Sequence, residues 1–302
     1  MMFPMLRRRL EEAFFDACAP LLAETPPRWI GAGRGHIVRK VRMREGHLML
    51  VDIRVPEQRE AWRTGVYEDN VLSLARRTIP EGGVFIDVGA NVGFYACGVG
   101  LDLARRGGKV YAFEPVSTNR RWLLRNIRLN GLEDVVTVLP FALGDEPGSM
   151  VMRRVPVGKA ANAVGENMLS EWDRASVDRN GWASEEVTVI RLDDWSSRLD
   201  RCDVVKIDVE GADLLVLRGG AKTIDRFRPV LLAEFNPYWM KQIHQSLDDV
   251  RRFARRHDYE IRRLFGDRFL PVGEEHADRD DEVPSYLLFP RERAPELSEL
   301  LS

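Results

Sequence analysis

The chain has 302 residues, 44% hydrophobic and 30% charged, enough to bury a sizeable core in one large domain or a domain with an extension. Its 45 basic and 47 acidic residues leave a formal net charge of −2, so there is no cationic field to hold a phosphate backbone, and nucleic acid is not expected as a partner. Cys18, Cys97 and Cys202 lie far apart without a CxxC, which suits a reducing compartment; a cytoplasmic location is expected. No run of about 18 apolar residues exists, so no membrane span is expected. The cluster Arg7-Arg8-Arg9 follows the apolar start instead of preceding it, the wrong order for a signal peptide.

Residues 1–63 read as an N-terminal extension of helix and hairpin. An amphipathic helix is predicted over 5–17, and Pro20, Pro26 and Pro27 break the pattern after it. Two strand-like runs, 37–44 and 47–53, straddle Glu45-Gly46 as a hairpin. This extension is the expected surface for a homodimer. Residues 64–302 read as the main domain. It opens with a helix over 66–78, whose start is crowded by Glu68, Asp69 and Asn70, where acids and caps belong. Pro80-Glu81-Gly82-Gly83 is a turn into the first apolar strand.

Strands and helices then alternate. Strands are predicted at 84–88, 109–113, 135–139, 203–208 and 230–235, with helices at about 92–106, 117–130 and 212–226 between them. A helix at about 246–257 leads to a last strand pair, 259–264 and 286–289. Seven strands in this rhythm imply an α/β fold with a doubly wound sheet. Residues 145–200 read as an insertion that covers an acceptor site as a lid. Trp172, Trp182 and Trp195 within it form either an aromatic acceptor wall or a small satellite core.

The first strand ends in Asp87 and runs into Gly89-Ala90-Asn91-Val92-Gly93. A dinucleotide site wants Gly-x-Gly-x-x-Gly with a pyrophosphate on the helix N-terminus, and that spacing is absent. An anionic Asp87 would repel a pyrophosphate and attract a cation. S-adenosylmethionine carries a sulfonium and an ammonium, so the turn favours it over NAD. The second strand ends in Glu114, where a bound nucleoside places its ribose hydroxyls.

The runs Phe85-Ile86-Asp87-Val88-Gly89-Ala90-Asn91-Val92-Gly93-Phe94-Tyr95, Tyr111-Ala112-Phe113-Glu114-Pro115, Asn126-x-x-x-Asn130-Gly131, Ala142-Leu143-Gly144 and Lys206-Ile207-Asp208-Val209-Glu210-Gly211 resemble the FkbM family of S-adenosylmethionine-dependent methyltransferases. Gly65-x-Tyr67-Glu68 is similar to that family too, and the match covers about residues 63–240. The resemblance implies a class I, Rossmann-like methyltransferase sheet of seven strands with the last antiparallel. It implies methyl transfer, commonly to a hydroxyl of a sugar or secondary metabolite. It places Glu68, Asp87, Gly89, Ala90, Asn91, Gly93 and Tyr95 around the methionine end of the cofactor, with Asp208 facing the same crevice. Glu114, with Pro115 and Asn119 beside it, would take the ribose, and Phe141 and Ala142 would flank the adenine.

The strand over 203–208 ends in a second acidic group, and its neighbour ends in Glu234-Phe235-Asn236. Ligands of open α/β sheets sit at the carboxyl ends of strands near the switch point. A hydroxyl acceptor is a weak nucleophile, so a base or a metal must assist; Asp208, Glu210 and Glu234 are the candidate bases. Mg²⁺ would want several carboxylate oxygens, which Asp208 and Glu234 could supply. The alternative is structural: Asp208 bonds only the cofactor's amino group, while Glu210 and Glu234 cap helices or pair with Lys206 or Lys241. Asn236-Pro237-Tyr238-Trp239 looks like the motif of base-amino methylases, but one proline is missing and the basic footprint is absent. It is expected to start a helix, with Tyr238 or Trp239 lining the acceptor pocket, and Asn162 is expected near the active site by position in similar family members. The expected reaction is O-methylation of a small acceptor. N-methylation, a peptide or protein acceptor, and a cofactor-binding module without catalysis are the alternatives.

Overall fold

Strands that are apolar at every position pair in parallel and need helices on both faces, and this chain meets that demand around its glycine turn. The computed structural model describes residues 38–154, 183–266, 268–273 and 283–301. They fall within the unit Arg39–Ser302, with Val38 at its edge. The helix expected over 5–17, and Trp172, Trp182 and Asn162, lie outside the described residues.

The chain begins with β1 (Val38–Arg42), β2 (Leu48–Asp52), α1 (Pro56–Thr64) and α2 (Asp69–Thr78). The alternating part follows: β3 (Val84–Val88), α3 (Phe94–Arg106), β4 (Lys109–Phe113), α4 (Ser117–Leu129) and β5 (Val136–Leu139). Then come β6 (Phe141–Leu143), β7 (Gly148–Arg154), β8 (Ala183–Ile190) and α5 (Leu192–Ser196). Next are β9 (Val204–Ile207), α6 (Asp213–Gly219), α7 (Ala221–Phe227), β10 (Val230–Glu234), α8 (Pro237–Gln242) and α9 (Leu247–Arg256). The last elements are β11 (Tyr259–Phe265), β12 (Arg268–Pro271), β13 (Ser285–Pro290) and α10 (Ala294–Leu301).

The main sheet runs β12-β11-β13-β10-β9-β3-β4-β5. From β10 to β5 neighbouring strands are parallel. The last strand, β13, lies antiparallel to both β10 and β11, as expected. The sheet has one strand beyond the expected seven. After a turn at Gly266, β12 pairs antiparallel with the outer edge of β11, a short segment ending in proline that carries little strand signal. The chain order reverses between β3 and β9, which makes their tips the switch point.

Alternation divides the core between the two faces of the sheet. Phe85, Val110, Val204 and Leu232 pack with α2 and α3 residues such as Leu72 and Cys97. Ile86, Val205 and Leu231 pack on the other face with Leu214, Leu217, Val250 and Trp195. The helix expected over 212–226 is two helices. The chain turns at the breaker pair Gly219-Gly220, where a Cβ on Gly219 would stand 1.9 Å from the Gly144 carbonyl oxygen. Within the stretch expected as a lid, β7 and β8 pair antiparallel, and β8 pairs in parallel with β6.

The hairpin shares the main core through Met43, Met49 and Val51. Helix α4 holds it with two carboxamides. Asn130 accepts from the Leu48 amide at 2.7 Å and donates to the Leu48 carbonyl at 2.7 Å. Asn126 accepts from the Leu50 amide at 2.7 Å and donates to the carbonyls of Leu50 (3.2 Å) and Val92 (2.9 Å). The side chains thus meet β2 as a neighbouring strand would.

Candidate active site at the strand tips

The turn after β3 is set by its neighbours. Gly89 and Ala90 both donate to the Phe113 carbonyl at 3.0 Å, and Asp208 donates its amide to the Val88 carbonyl at 3.0 Å. Gly89 has φ +80°, and a Cβ there would lie 2.0 Å from the Asp208 carbonyl oxygen. Its lack of a side chain is required by the tip of β9, whatever ligand approaches from above. Asn91 also adopts a left-handed φ, of 49°.

Asp87 and Lys206 are register partners on adjacent strands. They project from the face that carries Phe85 and Val204, toward α3. Asp87 is 1% exposed, and neither carboxylate oxygen has a hydrogen-bond partner among the described residues. Burial pushes its pKa up to about 6, although Lys206 pulls it down. A buried, unpaired acceptor calls for a donor-bearing ligand, preferably a cation. The ammonium and sulfonium of S-adenosylmethionine meet that need.

Glu114, expected at the ribose, is buried at the tip of β4 and holds the turn as well. Its Oε2 accepts from the Asn91 amide and its Oε1 from the Val116 amide, both at 2.8 Å. Asn119 approaches Oε1 at 3.5 Å, and Arg120 donates to the Glu114 carbonyl at 3.0 Å and to the Pro115 carbonyl. Burial raises the Glu114 pKa to about 7. Oε2, with one bond, keeps a lone pair for a ribose hydroxyl. Phe141 and Ala142 form β6, just past the end of β5, with Ala142 buried.

The second acidic group gathers around a lysine. Lys206 is buried, its Nζ lies 2.7 Å from Asp208 Oδ2, and it sits 4.6 Å from the centre of the Tyr95 ring. Tyr95 in turn donates its hydroxyl to Glu68 Oε2 at 2.6 Å. Burial pulls the Lys206 pKa down, but Asp208, Glu68, Asp87 and Glu234 together raise it above its ordinary value. Glu210, at φ 56°, has its pKa pushed up to about 8 by burial and then by Asp208. Glu234 is raised by burial, then by Asp208 and Glu68. Asp213, fully buried, accepts from the amides of Gly211 (3.1 Å) and Val209 (3.4 Å) and so ties down the loop that carries Glu210.

The Mg²⁺ site expected at Asp208 and Glu234 is not supported. Among the described residues no group of three or more His, Cys, Asp or Glu side chains is arranged to hold a metal, and Asp208 is already paired with the Lys206 ammonium. Trp195 is no acceptor wall. It is 4% exposed, edge-on to Tyr111 at 4.9 Å and Phe113 at 5.0 Å, in the core on the opposite face of the sheet from Asp87. The Asn236-Pro237 pair does start a helix: Asn236 accepts from the Trp239 amide at 3.3 Å. Tyr238 is 49% exposed and edge-on to Trp239.

From the sequence Lys206 was given a role only as a partner for Glu210 or Glu234, and Asp213 was not singled out. A lysine inside the apolar strand Val204-Val205-Lys206-Ile207 is the signal that could have found the first, because a buried charge requires partners. No helix among the described residues is long and apolar enough to cross a membrane.

A curated methyltransferase, sdnD from Sordaria araneosa, is 26% identical over 208 residues, covering 61% of this chain and 78% of that protein. The methyltransferase FkbM structure from Methylobacillus flagellatus is 19% identical with a TM-score of 0.41, covering 68% of this chain and 43% of the other, so this chain spans less than half of its length. An S-adenosylmethionine-dependent O-methyltransferase from Thermotoga maritima is 12% identical with a TM-score of 0.39, covering 83% of this chain and 77% of the other. The sequence model of the methyltransferase FkbM domain matches residues 87–261, more than half of the chain, from the buried Asp87 to the strand β11, and the chain belongs to that family.

Proposed function

We propose that the chain is an S-adenosylmethionine-dependent O-methyltransferase acting on a small hydroxylated acceptor, a sugar or secondary metabolite. One observation carries the cofactor reading: Asp87, buried at the switch point, offers two carboxylate oxygens without a hydrogen bond of ordinary geometry among the described residues, its charge eased only by Lys206 and the Ala96 amide. S-adenosylmethionine supplies an activated methyl group on a sulfonium. Asp87 takes its cationic methionine end, and Glu114 takes its ribose hydroxyls.

The acceptor lies on the Glu210 side, beside Tyr238 and Trp239, where a Cβ on Gly211 would meet the Trp239 side chain at 2.4 Å. Glu210 is the base. With a pKa near 8 it is a stronger base than an ordinary carboxylate, yet it still ionises close to neutral pH. It takes the hydroxyl proton as the O–CH₃ bond forms and the S–CH₃ bond breaks. Glu234, raised by burial and then by Asp208 and Glu68, lies beside the same site. Asp208 is the partner of Lys206. Alignment of donor and acceptor supplies most of the rate, about 7–11 kcal/mol of barrier in favourable cases. Isothermal titration with S-adenosylhomocysteine tests the cofactor: binding is expected, and no binding ends the reading. Release of S-adenosylhomocysteine with a panel of sugar alcohols, polyketide alcohols and amines tests the reaction. Turnover confined to the amines would replace O-methylation by N-methylation.

A further inference from the structure

We propose that Lys206 is the positioning residue of the cofactor site: its ammonium holds the Asp208 carboxylate in the orientation in which it meets the cofactor's amino group. The proposal rests on the S-adenosylmethionine reading above. A lysine beside a cationic ligand is at first sight a liability, and the geometry explains its presence. Asp87, Asp208 and Glu234 end adjacent parallel strands on one face, and Glu68 closes over them from the start of α2. Carboxylates crowded at this depth cannot all keep their charge unless a cation lies among them. Lys206 supplies it from within β9.

Its contacts also fix direction. The 2.7 Å ion pair to Oδ2 leaves Oδ1 of Asp208 as the oxygen free to face a ligand. The Tyr95 ring under the ammonium prevents the chain from swinging toward α3, and its hydroxyl fixes Glu68 at the same time. The ammonium thus orders Asp208, and the ring it rests on orders Glu68 from a separate segment. Asp208 meets the ligand, and Lys206 acts through it.

S-adenosylhomocysteine is the probe, titrated into the full chain by calorimetry, with thermal unfolding of the free protein recorded alongside. K206M is expected to weaken binding at least tenfold, D208N by a similar factor, and K206M/D208N by no more than the weaker single variant, because both changes remove one unit. Losses that multiply in the double variant, or K206M with wild-type affinity, overturn the proposal. Should K206M fail to fold, K206R decides. It keeps the charge but brings a planar fork into a space shaped for a point charge, and is expected to fold and to bind at least threefold more weakly. Wild-type affinity in K206R would show that charge alone matters and would overturn positioning. Failure of the wild-type chain to bind the probe would instead refute the cofactor reading itself, and the inference would fall with it.

Discussion

The replacement Asp87→Asn separates what the fold wants from what the cofactor wants. Asp87 has a pKa of about 6 in the fold against an ordinary 3.8, chiefly because it is buried. Holding its charge in the folded, ligand-free chain at pH 8 therefore costs about 3 kcal/mol. The sign follows from proton binding: the folded chain keeps this proton to a higher pH than the unfolded chain does. Wild-type stability therefore falls as pH rises from about 4 through 6 and is flat above. The variant would lose that fall, but its new carboxamide adds unpaired donors, a cost of about 1–2 kcal/mol at any pH. The variant should gain about 1–2 kcal/mol at pH 8 and be less stable than wild type by a similar amount at pH 4. The same change removes a charge-assisted bond to the ligand, about 1.5–3 kcal/mol, so S-adenosylhomocysteine should bind roughly ten- to a hundredfold more weakly. Urea unfolding at both pH values, with calorimetric titration at pH 8, measures the two effects together. Parallel stability curves for the two proteins, or unchanged affinity, would refute the argument.

Glu210→Gln should lower turnover by about 10²–10⁴-fold with an acceptor that the wild-type chain methylates, and the wild-type rate should rise as pH climbs through about 8. A wild-type profile that stays flat across that range would remove Glu210 as the base. Trp195→Ala should cost about 3–5 kcal/mol of stability in urea while leaving S-adenosylhomocysteine affinity within about threefold, since the ring fills the core behind Tyr111 and Phe113. A stable variant with altered cofactor affinity would contradict that placement. Asn126→Ala breaks three hydrogen bonds at a fully buried site and should destabilise by about 2–4 kcal/mol, read by the same unfolding experiment; a loss below about 0.5 kcal/mol would mean the carboxamide holds nothing.

The parallel strands were legible as largely apolar runs, most of them closed by an acid or a glycine although Lys206 interrupts β9 and Pro140 closes β5, and Asp87 and Glu114 followed from their places at those ends. What was hidden depends on contacts distant in sequence. The need for glycine at position 219 comes from Gly144, whose carbonyl oxygen lies 1.9 Å from where a Cβ would stand, and nothing local announces that contact. Strand β12 owes its state to the exposed edge of β11, not to its own four residues. Trp195 was read with the other insertion tryptophans because it is close to them in sequence; its ring is claimed by β4. The acids at the tips of β9 and β10 were visible one by one. That Asp208 would be held by Lys206, and Glu210 thereby left to titrate, depends on which face of the sheet each side chain occupies and on what closes over it.

The carboxamide of Asn126 ties two distant parts of the fold together. Its oxygen grips β2 at Leu50 and its nitrogen grips Val92, a residue of the glycine turn itself. The hairpin and the cofactor cradle thus hang from one rigid planar group only a few atoms wide. Losing that group is therefore felt at both ends at once, at the Leu50 backbone and at the Val92 carbonyl.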